Sequence, residues 1–185
     1  MSTNSKEAIL AAARLSVQTH GYHGLNFRDL ATEVGIKAAS IYHHFPSKAA
    51  LGTAVARRYW EDTAAELDLL ANSHPTRALR EYPKLWRRAL EGENRLCLGS
   101  FMSTEYDDLP AMVREQVQEF ANVNVAWLSK VLVAAGVVSR KKSDDRARAI
   151  FAAVSGAQLM ARGRADLSLF DELIESYRSA GLLPA

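Results

Sequence analysis

A single cysteine, Cys97, in 185 residues rules out an intrachain disulfide, so apolar burial has to hold the fold together; one lone thiol fits a reducing compartment. Apolar runs stay well short of the ~18 residues that span a bilayer, and the polar residues 1–7 lack a basic segment followed by an apolar one. The expectation is a cytoplasmic protein with no membrane partner. Alternating apolar and polar positions are nearly missing, which argues against strands. Internal repeats and low-complexity tracts are missing too. Enzyme signatures are equally scarce: there is no glycine-rich phosphate loop, no HExxH, and no His or acid partner recognisable for Cys97. His20, His23, His43 and His44 lie near one another in sequence, but the adjoining pair on a short helix points to different faces. No catalytic residue, metal or cofactor is therefore expected.

What the chain does have is helical periodicity on a 48% hydrophobic composition, enough for a sizeable core. Ile9, Ala12, Ala13, Ser16 and Val17 form one stripe; Phe27, Leu30, Ala31 and Val34 form a second, with residues 21–24 as the break between them. Ser47 is a candidate N-cap for a long helix reaching about Leu70. Further helices are expected at 77–91, 94–106, 111–135, 144–161 and 168–180, with a polar loop at 139–143 and Gly163 separating the last two. The fold class is therefore all-α, with about nine helices. A small head at 1–46 precedes a larger body at 47–185, and the helix from 47 connects them. Charge divides similarly. Residues 1–60 carry a net +4 and four of the five histidines, while 61–185 carry −2, within an overall +2. A basic head on a slightly acidic body suits a head that meets phosphate, although a solvated charged face fits equally well.

Residues 26–45 join two short amphipathic helices through Gly35, a helix-turn-helix arrangement. A chain that must stop and turn within a few residues gains from a glycine that accepts positive φ, and Ile36 then plugs the corner. Asn26 is the candidate cap of the first helix, with Asp29 at the capping-box position. Phe27, Leu30, Ala31, Val34, Ile36, Ile41 and Phe45 supply the apolar side. Lys37, Ala38, Ser40, Tyr42 and His43 are left facing outward.

Three runs, Phe27-x-x-Leu30-Ala31-x-x-Val34-Gly35, Ile41-Tyr42-x-His44-Phe45 and Ser47-Lys48-x-x-Leu51, resemble in order and spacing the signature of the TetR family of bacterial repressors. The resemblance covers about residues 6–60; beyond that the chain agrees with the family in length and helical layout only. The family often has Ser or Thr where Lys37 stands, and Gly near Ala39. Membership implies nine helices, the first three binding double-stranded operator DNA and the body binding a small-molecule inducer and forming a homodimer. It places the helix at about 37–44 in the major groove, with Lys37, Ala38, Ser40, Tyr42 and His43 at the bases or phosphates, Arg28 at a base or phosphate, and Lys48 at a phosphate. Packing of Tyr42 over the helix pair, with only its hydroxyl reaching DNA, is the alternative for that residue. His44 is either a base reader or a structural neighbour of Phe45.

For the body, the resemblance implies an inducer pocket, for which Trp60, Trp86, Cys97, Phe101, Met102, Tyr106, Phe120, Asn124, Trp127 and Phe151 are the candidate lining residues. Plain core packing is the competing explanation for each aromatic. Asn124 stands apart because it interrupts the apolar face formed by Val113, Val117, Phe120, Trp127 and Val131, and a polar group there needs a partner. Cys97 has two readings, a thiol sensor helped by Arg95 or a small buried hydrophobe. Ala149, Ala152, Ala153 and Gly156 on one helix, with Phe170, Leu173, Ile174 and Tyr177 on the next, suit a four-helix dimer interface, or else packing within one chain.

Overall fold

The helical stripes become nine α-helices and one 3-10 turn in the computed structural model, which describes residues 2–184, with no strand among the described residues. They are α1 (Ser2–His20), α2 (Phe27–Val34), α3 (Ala38–His44), α4 (Lys48–Ala71), α5 (Pro75–Glu91), α6 (Leu98–Ser103), the 3-10 turn Tyr106–Asp108, α7 (Ala111–Ala134), α8 (Arg140–Arg164) and α9 (Leu167–Ser179).

Three boundaries differ from the pattern. Helix α6 is shorter than 94–106, because Glu93 and Asn94 adopt left-handed φ of 63° and 54° and the chain turns before helix can start. Residues 139–143 are not a loop: Ser139 is the extended N-cap of α8, and Lys142 N–H donates to its carbonyl at 2.9 Å. Gly163 lies inside α8, which ends instead at Ala165, itself left-handed with φ 50°. Its N–H is taken up by the carbonyls of Ala161 and Arg162, which offsets a strained conformation for a residue with a Cβ.

The chain divides into two compact units. The first runs to Glu61 and adds Leu98–Phe120; the second comprises Asp62–Cys97 and Ala121–Ala185, so α4 and α7 contribute residues to both. In the first, α1 packs on α2, α3 and α6 around a core in which Ile9, Ala13, Val17, Ile41, Leu51, Met102 and Val113 are wholly buried. Each large aliphatic side chain buried this way contributes about 1.5–3 kcal/mol. Gly99 is required by contact, since a Cβ there would stand 2.3 Å from Cδ1 of Phe120.

In the second unit α5, α8 and α9 pack against one another over Leu79, Tyr82, Ile150, Val154, Ala157 and Phe170. Gln158 is wholly buried there yet satisfied: its Nε2 donates to the Trp86 carbonyl at 2.7 Å, and its Oε1 accepts from Cys97 N–H at 3.1 Å. It ties α8 to α5 and to the chain just before α6 through two hydrogen bonds in a setting where an unmet amide costs far more than a met one gains.

Candidate nucleic-acid interface

Local chemistry fixes the two short helices of the head. Asn26 is extended, and its Oδ1 accepts from Arg28 N–H at 2.8 Å, capping α2; Asp29 returns no bond to it among the described residues. Gly35 ends α2 at φ 72°, its N–H bonding Thr32 O at 3.2 Å while Ile36 N–H reaches Ala31 O at 2.9 Å. That double closure is the left-handed helix stop for which glycine is suited. Lys37 opens α3 but has no side-chain acceptor, so the N-terminus of α3 carries no side-chain cap. Ser47 Oγ accepts from Ala50 N–H at 3.1 Å at the start of α4.

Phe27, Leu30, Ala31, Ile41 and Phe45 are buried, with Val34 and Ile36 packed beside them. This leaves one outward face. Arg28, Lys37, Tyr42 and His43 are exposed, and Ala38 and Ser40 are half-buried. The Tyr42 ring tilts over Phe27 with centroids 4.7 Å apart, yet 57% of the residue stays exposed, so packing and outward reach coexist. His44 is half-buried beside Phe45, with centroids 6.3 Å apart. No carboxylate lies on α3 itself.

Lys48 does more within the chain than its position in sequence suggests. Its Nζ donates to the His23 carbonyl at 2.8 Å and stands 5.0 Å from the centre of the Tyr22 ring. Burial pushes its ammonium below the usual lysine range, with the nearby Glu105 carboxylate acting in the opposite sense. Glu105 also accepts from Tyr22 N–H at 2.7 Å, and the imidazole of His23 lies 3.5 Å from Asp108. Gly21, at φ 73°, leaves room for that carboxylate, because a Cβ would come within 2.3 Å of its Oε1. Residues after α6 thus hold the loop that leads into α2. Nothing in the sequence pairs positions 83 residues apart, so this brace was out of reach of pattern reading.

A buried three-helix head with one short helix presenting a basic, acid-free face defines a helix-turn-helix DNA-binding protein. Residues 9–55 match the family described as "Bacterial regulatory proteins, tetR family". A solved TetR transcriptional regulator from Legionella pneumophila is 30% identical with a TM-score of 0.89, over 95% of this chain and 96% of that one. A TetR-family regulator from Agrobacterium tumefaciens is 27% identical, also with a TM-score of 0.89, over 97% and 98% of the two chains. The chain belongs to the TetR family. Among curated relatives, the HTH-type transcriptional repressor AcnR of Corynebacterium glutamicum is 35% identical over 78 residues, 42% of this chain. The HTH-type transcriptional regulator RutR of Escherichia coli K12 is 33% identical over 81 residues, 43% of it. The matches span 40% and 38% of those relatives' own lengths.

The candidate pocket residues divide between the two units. Trp60, Phe101, Met102, Tyr106 and Phe120 fall in the first, and Trp86, Cys97, Asn124, Trp127 and Phe151 in the second. Tyr106 is 47% exposed, with the Arg114 guanidinium 5.2 Å from its ring centre. Trp60 is half-buried and donates from Nε1 to Gln116 at 3.1 Å. In the second unit, Trp86 meets Phe151 edge-on at 5.4 Å, while Tyr82 stacks on Trp127 at 5.6 Å. Asn124 is 1% exposed and accepts from the Tyr82 hydroxyl at 3.0 Å, which answers the need for a partner with a residue that the pattern had not singled out. Burial holds the Tyr82 phenol above its usual range. Cys97 is 3% exposed, and Arg95 pairs with Glu93.

Of the residues expected at a dimer surface, Phe170 and Ile174 are 1% and 4% exposed and belong to the core of their own chain, where α9 meets α5 and α8. Ala149 is exposed, and Ala153, Gly156, Leu173 and Tyr177 are half-buried.

Proposed function

We propose that this chain is a transcriptional repressor that binds a palindromic operator as a homodimer in the cytoplasm and releases it when a small-molecule inducer binds. Residues 1–46 serve as the DNA-binding domain and 47–185 as the ligand-binding and dimerisation domain. The outward face of α3 carries this reading most directly: Lys37, Ser40, Tyr42 and His43 lie on or beside a helix short enough to enter the major groove, with Ala38 small enough to permit close approach. Arg28 flanks this face, and Lys48 keeps two of its three ammonium donors for a phosphate after serving His23.

The dimer reading rests on α8. Ala149, Ala152, Leu159, Met160 and Gly163 are exposed at helical spacing, with Ala153 and Gly156 beside them, and beyond the adjoining backbone of α8 itself a Cβ built at Gly156 or Gly163 meets open space. Small and apolar residues on an open helix face allow a second helix to approach closely. Leu173 and Tyr177 of α9 extend the surface. For the inducer, the Tyr82–Asn124 pair with Trp86, Trp127 and Phe151 offers apolar rings around one polar anchor, the chemistry of a small-molecule site.

A gel-shift assay on a genomic fragment selected by the wild-type protein tests the DNA face. Tyr42→Ala and Lys37→Ala weaken binding at least tenfold with helicity and oligomeric state unchanged, and Lys48→Ala lowers the salt slope by about 1. Unchanged affinity in all three would sink the assignment. A thermal-shift screen tests inducer binding, since a ligand at 100 times its Kd stabilises by about 2.7 kcal/mol.

A further inference from the structure

Helix α5 carries positive charge where a helix least favours it. The N-terminus of an α-helix has a positive dipole end, which cations in the first turn oppose. Yet the first turn of α5 contains no acidic residue and does contain Arg77, while His74 at the N-cap makes no side-chain capping bond. Pro75 has no N–H to offer, so Thr76 and Arg77 present the open amides. Arg80 and Lys84 follow Arg77 at i+3 and i+7 on the same face, a spacing at which like charges destabilise a helix.

That face opens on a cavity of about 610 Å³ within the second unit, lined by His74, Thr76, Arg77, Arg80, Lys84 and Arg178, with Glu81 as its one carboxylate. Arg178 comes from α9. Its Nη2 is anchored to the Arg80 carbonyl at 3.3 Å and its Nη1 to Glu175 at 3.3 Å, while its covered Nε donates to nothing. Glu81 is taken by Lys84 at 2.7 Å. Among the described residues, the guanidinium groups of Arg77 and Arg80 have no hydrogen-bond or ion-pair partner. The local field is already visible on Glu81, whose carboxyl is held below the usual range first by its bond to Lys84 and further by Arg77 and Arg80.

We propose that this cleft between α5 and α9 is a binding site for a small, multiply charged oxyanion, a phosphate ester or polycarboxylate, separate from the aromatic site proposed for the inducer. Four cations line it against Glu81, and with Glu175 paired to Arg178 beside it the excess is +2, around a concavity of the size that holds a small molecule. Arg77 and Arg80 supply forked donors for paired oxygens, Arg178 closes from α9, and the open amides at the start of α5 point the helix dipole at the anion. Occupancy removes the like-charge repulsion along α5 and pins α9 to it. A concave site of this volume favours a small molecule over a polyanionic strand.

The test uses the full chain with inorganic pyrophosphate as the phosphate probe and tricarballylate as the carboxylate probe, each against sodium chloride at matched ionic strength. At least one probe is expected to raise Tm by 3 °C or more and to bind by calorimetry at micromolar to low millimolar Kd. Arg77→Gln/Arg80→Gln, which removes two unpaired charges, weakens that Kd at least tenfold; the same charge change at Arg140→Gln/Lys141→Gln leaves it unaltered. Amide exchange on the unmutated protein gives a reading independent of any variant, with Thr76 and Arg77 gaining protection when the probe is added. Equal stabilisation by chloride, equal binding by both double variants, or an effect of Arg77→Gln/Arg80→Gln on DNA affinity with none on either probe overturns the proposal. Response to one probe alone assigns the phosphate or the carboxylate class.

Discussion

Tyr82 reads in the sequence as one more aromatic on the apolar side of α5, yet its hydroxyl decides how the second unit tolerates a polar residue at its centre. Asn124 was legible as an interruption of an apolar face, but its partner lies 42 residues away and could be found only in space. Tyr82→Phe removes the donor serving a buried acceptor and is expected to cost about 1–3 kcal/mol in urea unfolding, with the far-ultraviolet spectrum unchanged. Gln158 follows the same logic, its two bonds hidden from the sequence because both partners are main-chain atoms of other segments. Gly99 is a steric case. Gly99→Ala drives a methyl into the Phe120 ring and is expected to destabilise by about 1–3 kcal/mol, whereas Gly156→Ala, with open space around the built Cβ, costs none of that.

Helices that stripe cleanly were legible as elements, and their ends were not. The face of α7 was readable because six apolar or amide positions recur at 3.6-residue spacing, and all six are buried. The start of α8 was missed because its first turn is polar on every side, which resembles a loop by composition while arginine and lysine are good helix formers. Its end is not legible because Gly163, two residues before Ala165, is the residue type suited to a helix stop, whereas Ala165 takes the left-handed position. Helix α9 has a titratable start. Asp166 accepts from Ser168 Oγ at 2.6 Å and from the N–H groups of Ser168 and Leu169, and the bond to Ser168 is the chief cause of its lowered pKa. A carboxyl whose pKa is depressed on folding adds stability above its ordinary value of 3.8, and that stability fades as the pH falls through the depressed value. Asp166→Asn is expected to flatten the acid limb of the Tm against pH curve while leaving α9 formed; an unchanged limb refutes the role.

At the scale of the molecule, length, composition and the run from Phe27 to Leu51 made the all-helical class and the family legible. The division into units that share α4 and α7 was not, since it depends on contacts between distant segments rather than on any break in pattern. The dimer proposal makes its own demand here. If the open stripe on α8 joins two chains, Met160→Asp places a charge at the seam, and analytical ultracentrifugation is expected to show monomers at micromolar concentration with operator affinity lowered at least a hundredfold. The two halves of a palindrome then lose the ~34 Å coupling that a joined pair of recognition helices provides. A variant that stays dimeric moves the interface elsewhere.

Cys97 offers a clock. It is the sole thiol of the chain and only 3% exposed, so a chromogenic thiol reagent can react with it only when the surrounding structure opens. With no competing cysteine, the slow labelling rate reports how often that opening occurs, without any engineered probe. A ligand that steadies the second unit slows it, one that loosens the unit quickens it, and a single absorbance trace ranks candidate effectors before their site is known.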